Sequence, residues 1–244
     1  MGEGLGMRMT FLNAVRSRAG VSAIVLAGAL VLTGCSGGKD AAPTQLELAR
    51  ATKAIVGGAI SGKGRGAAPA PISRAQIEAV GLPVTGIRAE RRAMSAYFFR
   101  AEARRDETPG LIEVWMSGDQ LSTVTTRDGV VIATRGLGGD LLSSAVPLAD
   151  GQPQSGALEQ RIFTGDNRER SLTLRCETED IGAERVEILG VSHDARHLRQ
   201  ICDGADGSRV TNDFWQSPGD GTIWKSRQWA GPYVGYLQLN RVTK

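Results

Sequence analysis

From Pro83 onward, apolar and polar residues alternate with a period of two. Runs at 95–101, 111–117, 121–126 and 130–135 fit strands, and Asp128-Gly129 between the last two is a hairpin turn signal. Further runs lie at 158–164, 170–176, 185–191, 197–202, 209–215, 221–229 and 234–242, with Asp206-Gly207 and Asp220-Gly221 between them. Many short strands with regular turns predict an antiparallel sandwich or barrel. No long helices alternate with them, which disfavours a βαβ fold. Helical spacing occurs only upstream. Thr44 and Glu47 form a capping box ahead of Leu48, Ile55, Val56 and Ile60, predicting a helix over Gln45–Ile60 weakened at Gly57-Gly58. Ser73 and Gln76 repeat the device before a short helix that Gly81 ends. The expected fold is therefore mainly β. It is an antiparallel barrel-like or strongly curved sheet with one or two short N-terminal helices.

The first residues follow a different pattern. Arg8, Arg16 and Arg18 precede an uncharged apolar run, Val21–Leu32. The run is too short for a membrane-spanning helix, which needs about 20 residues, and suits a signal-peptide core. It ends in Leu32-Thr33-Gly34-Cys35, which resembles the bacterial lipobox. That resemblance implies cleavage before Cys35 and acylation of its thiol with diacylglycerol and palmitate-like chains. Residues 1–34 are then a lipoprotein signal peptide, 35–43 a small-residue tether, and 44–244 a single β-rich domain. Ser36, rather than Asp, follows the cysteine, which by known sorting rules implies an outer-membrane anchor facing the periplasm.

Charge and cysteine content take on meaning once that segment is set aside. Residues 1–34 hold three arginines and one glutamate, so +1 of the formal +3 charge remains in the exported part. Near-balance argues against a nucleic-acid partner. Cys176 and Cys202 remain for an oxidising compartment, where a disulfide between them is expected, the alternative being two separate buried thiols.

Several motifs carry little chemistry. Gly57–Gly64 matches a phosphate-loop spacing but has Gly64 where Ser or Thr would hold Mg²⁺, and reads as a flexible loop. His193 and His197 are four apart, but their context reads strand–turn–strand and H-E-x-x-H is absent, so no metal or cofactor is expected. There is no G-x-S-x-G, and no carboxylate pair is marked, so no catalytic residue is assigned. The densest feature is C-terminal. Trp215, Trp224 and Trp229 lie close together, interleaved with Lys225, Arg227 and Gln228. Aromatic faces stack on sugars, while amides and guanidinium groups bond hydroxyls and acids. Trp224, Lys225, Arg227, Gln228 and Trp229 are thus candidates for binding glycan or a partner protein. The competing reading is core and corner packing. Trp224 and Trp229 are separated by an odd number, so in an unbroken strand they face opposite sides.

The segment Asn212–Pro232, with its N-x-F-W and G-x-I-W-K-S-R-Q-W-x-G-P pattern, resembles the YjbF/GfcB family of bacterial lipoproteins. Asp128–Leu141, with Gly136-Leu137-Gly138-Gly139-Asp140, is similar to a second segment of that family. The resemblance spans roughly Thr44–Lys244 and implies a lipid-anchored, mainly β, barrel-like protein. Its role would be exopolysaccharide or capsule production, with no established catalysis. The reading is a non-enzymatic accessory protein that binds polysaccharide or an export partner. The alternatives are a half-open-barrel carrier of a lipid or lipid-linked glycan, and a polysaccharide-modifying enzyme.

Overall fold

The structure, a computed structural model, describes residues 72–92, 94–149, 152–164 and 168–244. The expected helix over Gln45–Ile60, the loop at 57–64 and Cys35 lie outside the described residues. The second expected helix is present as α1 (Arg74–Glu78). Ser73 caps it: its hydroxyl accepts from the Gln76 N–H, and the Gln76 side-chain oxygen accepts from the Ser73 N–H at 2.8 Å. Ile77 is its one buried residue.

The rest is β. In chain order the strands are β1 (Val84–Ala89), β2 (Met94–Arg104), β3 (Ile112–Ser117), β4 (Thr123–Arg127) and β5 (Val130–Arg135). Then come β6 (Leu141–Ala145), the two-residue pair β7 (Leu148–Ala149) and β8 (Gln152–Pro153), and β9 (Gly156–Phe163). Last are β10 (Glu169–Ile188), β11 (Val191–Gly204), β12 (Arg209–Gln216), β13 (Ile223–Trp229) and β14 (Tyr236–Arg241). A single-turn 3₁₀ helix, Glu90–Arg92, joins β1 to β2.

Twelve strands form one sheet in the order β5-β4-β3-β2-β1-β14-β13-β12-β11-β10-β9-β6. The first and last of these are consecutive in sequence, so the sheet curls into a barrel closed but for one seam. At the seam the backbone ladder is replaced by side chains: Leu141 N–H donates to Thr134 Oγ1 (3.0 Å), and Arg135 donates to the Leu141 carbonyl (3.1 Å). Because every sheet pairing is antiparallel, the loops fall on two rims. One rim holds residues 90–92, 118–122, 136–140 and 230–235; the opposite rim holds the β2–β3, β4–β5 and β12–β13 turns.

Alternation decides the interior. Phe98 of β2, Trp115 of β3, Ile162 of β9 and Leu237 and Leu239 of β14 point inward into one cluster. Each such side chain contributes about 1.5–3 kcal/mol when fully buried. Trp115 brings its N–H along and donates it to Thr126 Oγ1 at 3.1 Å. A second cluster lies on the outer face, where Ile77 of α1 covers Val84, Phe99 and Val242.

Cys176 and Cys202 are directly opposite each other in the β10–β11 register, with Cα atoms 4.0 Å apart, and form a disulfide. Both are buried among Leu158, Leu174 and Val210. The period-two reading of 170–176 and 185–191 as separate strands is corrected: 170–176 and 185–188 are parts of one strand, β10, twenty residues long, while 189–190 form the turn and Val191 opens β11. Polar residues on both faces of its middle conceal the continuity. The β10–β11 register slips between Asp180 and Gly182, and beyond this bulge the hairpin becomes an arm. The arm lies over the outer face of β12 and β13. Its Glu184 accepts from Trp215 Nε1 at 2.8 Å, and His193 stacks on Trp224 with ring centroids 3.9 Å apart. Its tip reaches α1, where Ile188 joins the Ile77 cluster.

Candidate functional site

The five residues singled out from the C-terminal segment do not form one surface. β13 carries them on alternating faces, and a bulge opposite Trp215 and Gln216 displaces Trp224 from the ladder. Trp224 packs between His193 and the Ile77 cluster, with the Lys244 ammonium 4.8 Å from its ring. Gln228 faces inward and is 3% exposed; it accepts from Val131 N–H (2.8 Å) and donates to the Gly129 carbonyl (2.9 Å). Trp229 packs against the disulfide cluster. Arg227 faces outward but is engaged: it pairs with Glu90 and lies 3.5 Å over the Tyr236 ring. Lys225 opens onto a large cavity.

That cavity is a groove of about 870 Å³ on the outer face of the sheet. Outward-facing residues of neighbouring strands line up across it, with Lys225 opposite Asn240, Asn240 opposite Gly86, and Gly86 opposite Tyr97. A second row adds Gln238, Arg88 and Ser95. Gly86 lies in the floor beside the Tyr97 ring, with room for a Cβ at ordinary contact distance, 3.6 Å. The arm tip, Glu187–Leu189, walls one side and Ser117–Asp119 the other. Burial pushes the Tyr97 hydroxyl pKa up, so the ring presents a neutral phenol. Lys225 is held 4.4 Å over the Trp215 ring, which itself stacks on His197. Asp119 is tied down by the Ser117 hydroxyl and by the Leu121 N–H, which hold its carboxyl below the usual range.

Sequence reasoning missed Tyr97, Gln238 and Asn240. The signal was the polar alternation of two unremarkable strands, which becomes a site only when β1 joins β2 to β14. Phe98, Trp115, Phe214 and the Gln228 network occupy much of the interior, and Ser144, Gln160 and Leu172 line a smaller cavity of about 500 Å³ beside the seam. The cavity of about 870 Å³ opens outward.

A family model described as group 4 capsule polysaccharide lipoprotein gfcB, YjbF, matches residues 49–242. The chain belongs to the YjbF family. Membership makes it a capsule-polysaccharide-associated lipoprotein. A solved structure, the hypothetical lipoprotein YmcC from Escherichia coli (K12), shares the YjbF-family chain's fold with a TM-score of 0.63 at 17% identity. The match covers 84% of this chain and 98% of YmcC. No curated protein matches the chain. The motif at Gly136–Asp140 lies on the loop joining β5 to β6, outside the groove lining but against the Ser117–Ser122 turn that walls it.

Proposed function

We propose that this YjbF-family lipoprotein is a non-enzymatic accessory protein of exopolysaccharide or capsule export. It is anchored through Cys35 in the outer membrane, faces the periplasm, and binds the polymer along the outer groove. The observation that carries this reading is the lining of that groove. An aromatic ring, two side-chain amides, two serines and two cations line one open channel formed by adjacent strands. Amides and cations bond sugar hydroxyls and acids, and an aromatic face stacks on the apolar side of a pyranose. A groove along a sheet also suits a chain longer than any one pocket.

The non-enzymatic part is supported by the carboxylates present. Asp119 and Glu187 are the two that line the groove. Asp119 is held ionised by the turn it closes, which leaves it unfit to give up a proton as a general acid.

The test is binding of the native extracellular polymer to the mature protein, by calorimetry or affinity electrophoresis. Tyr97→Ala and Asn240→Ala should each weaken binding about tenfold, since one stacking or paired hydrogen-bonding contact contributes on the order of 1–1.5 kcal/mol. Trp229→Ala, which acts on the disulfide cluster, should lower stability instead. No binding by the native protein, or equal binding by both groove variants, removes the reading.

A further inference from the structure

The rim opposite the β12–β13 turn carries an unusual surface. Five large apolar side chains are exposed among the described residues, and three are here: Leu121 (76%), Tyr233 (40%) and Phe163 (36%). They surround the Gly136–Asp140 loop. Ser122 Oγ donates to the Gly136 carbonyl at 3.2 Å, which seats the Leu121 turn against that loop. Gly139 abuts Tyr233 so closely that a Cβ would lie 2.5 Å from the Tyr233 Cβ. The Phe163 N–H donates to the Asp140 carbonyl at 2.9 Å.

Arg91 and Arg92 stand beside them, exposed, and each donates to a loop carbonyl, Pro232 and Gly138 respectively. Neither is paired with a carboxylate among the described residues. Asp119 and Asp140, the acids beside these tips, are turned inward, while Asp206 of the β11–β12 turn on the same rim is exposed and pairs with Arg170. Asp119 holds the Ser117 hydroxyl and the Leu121 N–H, and Asp140 holds Thr134 Oγ1 (2.8 Å), Gly136 N–H (2.9 Å) and Leu137 N–H (3.1 Å). The rim therefore presents apolar tips flanked by two exposed arginines with no carboxylate partner among the described residues, the composition of an interfacial membrane contact.

We propose that this rim rests on an anionic phospholipid surface. Leu121, Tyr233 and Phe163 enter the boundary between headgroups and acyl chains, and Arg91 and Arg92 bond lipid phosphates. Family membership supplies the occupant, because a lipoprotein is held at a bilayer. Such a patch is marginal for a free protein. Tethering raises the effective lipid concentration to the order of millimolar, where weak contacts suffice. The chain between Cys35 and Ile72 could span about 120 Å if extended, so the anchor alone leaves orientation open and the rim sets it. The groove then lies on the side of the barrel, with its Ser117–Asp119 wall toward the membrane.

The test uses the acylated mature protein in lipid nanodiscs. A Leu121→Cys variant carries a polarity-sensitive fluorophore; Glu107→Cys, exposed on the opposite rim, is the control. With Cys35 acylated and the disulfide closed, the introduced thiol is the reactive one. The Leu121→Cys label should shift to shorter wavelength in discs of phosphatidylethanolamine and phosphatidylglycerol, and less in phosphatidylcholine alone. The Glu107→Cys label should not shift. Arg91→Gln with Arg92→Gln should reduce the shift several-fold, and Arg91→Lys with Arg92→Lys should restore it. Identical spectra at the two positions overturn the proposal. So does a Leu121→Cys shift that appears only when envelope proteins are added, which would make the occupant a protein.

Discussion

The guanidinium of Arg227 meets the carboxylate of Glu90 through two parallel bonds of 2.7 and 2.8 Å. The pair fastens the single-turn helix Glu90–Arg92 to β13, and Gln238 adds a third bond to the same carboxylate at 2.9 Å. The arginine also lies over Tyr236. A residue chosen from sequence as a ligand-binding cation is thus a strut between two parts of the barrel wall.

Glu90→Gln should therefore destabilise the protein in a pH-dependent way. The bond from Arg227 holds the Glu90 carboxyl below its usual range, against an opposing effect of burial. A depressed carboxylate contributes stability that is full above its unfolded value, near 4.3, and is lost as pH falls through the folded value. At pH 7 the coupling in a double-mutant cycle with Arg227→Met should be about 1 kcal/mol, discounted for partial exposure. Thermal unfolding of wild type and Glu90→Gln should converge as pH is lowered below 4. A constant gap across that range would contradict the assignment.

The disulfide gives a second prediction. Cys176 and Cys202 are 26 positions apart and already opposite in a paired hairpin. Closing a loop of that length restricts the unfolded chain by about 3.5 kcal/mol. The double Cys176→Ser, Cys202→Ser variant should lose stability of that order in urea. Its site also lies where Trp229 packs, so Trp229 fluorescence should report the change. Non-reducing peptide mapping should join the two cysteines.

Gln228→Leu should cost more than any surface change on β13. The amide reaches across the interior to the Val131 N–H and the Gly129 carbonyl, fixing β13 to the start of β5. Leucine would fill similar space but leave two buried backbone groups unpaired, a loss of about 2–4 kcal/mol. Lys225→Leu, on the opposite face, should change stability by less than about 0.5 kcal/mol. Denaturant unfolding of the two variants decides the ordering.

Much of the fold was written in local pattern. The Ser73–Gln76 capping box, the Asp128-Gly129 turn and the alternation of 209–216 are each decided by neighbours in sequence. The cysteine pair was legible because a two-thiol remainder in an exported chain has few other uses. β1 and β6 were not foreseen, since Val84–Ala89 contains Gly86 and Arg88 and Leu141–Ala145 is serine-rich. Both are strands because their neighbours complete the ladder. The groove was hidden for the same reason. Lys225, Asn240, Gly86 and Tyr97 are adjacent only because β14 returns between β13 and β1. The C-terminal tryptophans stood out by composition, but β-strand alternation and one bulge spread them among the outer cluster, the arm and the disulfide.

The loop between β5 and β6 yields a further prediction. Gly136 has φ +75, and a Cβ there would lie 2.0 Å from the Leu121 carbonyl oxygen. Both the left-handed backbone and the contact with a neighbouring turn exclude a side chain. Gly136→Ala should destabilise by about 2 kcal/mol or more and loosen the seam, visible as faster amide exchange at Leu137 and Leu141. Gly190, also at positive φ but with open space around it, should tolerate alanine at about 1 kcal/mol.

Cys35→Ala tests the anchor on which both the function and the membrane contact depend. Each acyl chain contributes about 0.8 kcal/mol per buried CH₂, so several chains hold a protein firmly, whereas the rim alone has only a few apolar tips. If the lipobox reading is right, Cys35→Ala moves the protein from the membrane to the soluble fraction and leaves an uncleaved signal, seen as a higher mass. Retention in the membrane with an unprocessed mass would mean that the apolar segment itself holds the chain. Retention with cleavage elsewhere would mean an ordinary signal peptide and a rim strong enough to bind alone. Mass spectrometry of the fractionated variant separates these outcomes. The first predicts that restoring cysteine at 35 also restores a diacylglyceryl adduct on the mature N-terminus.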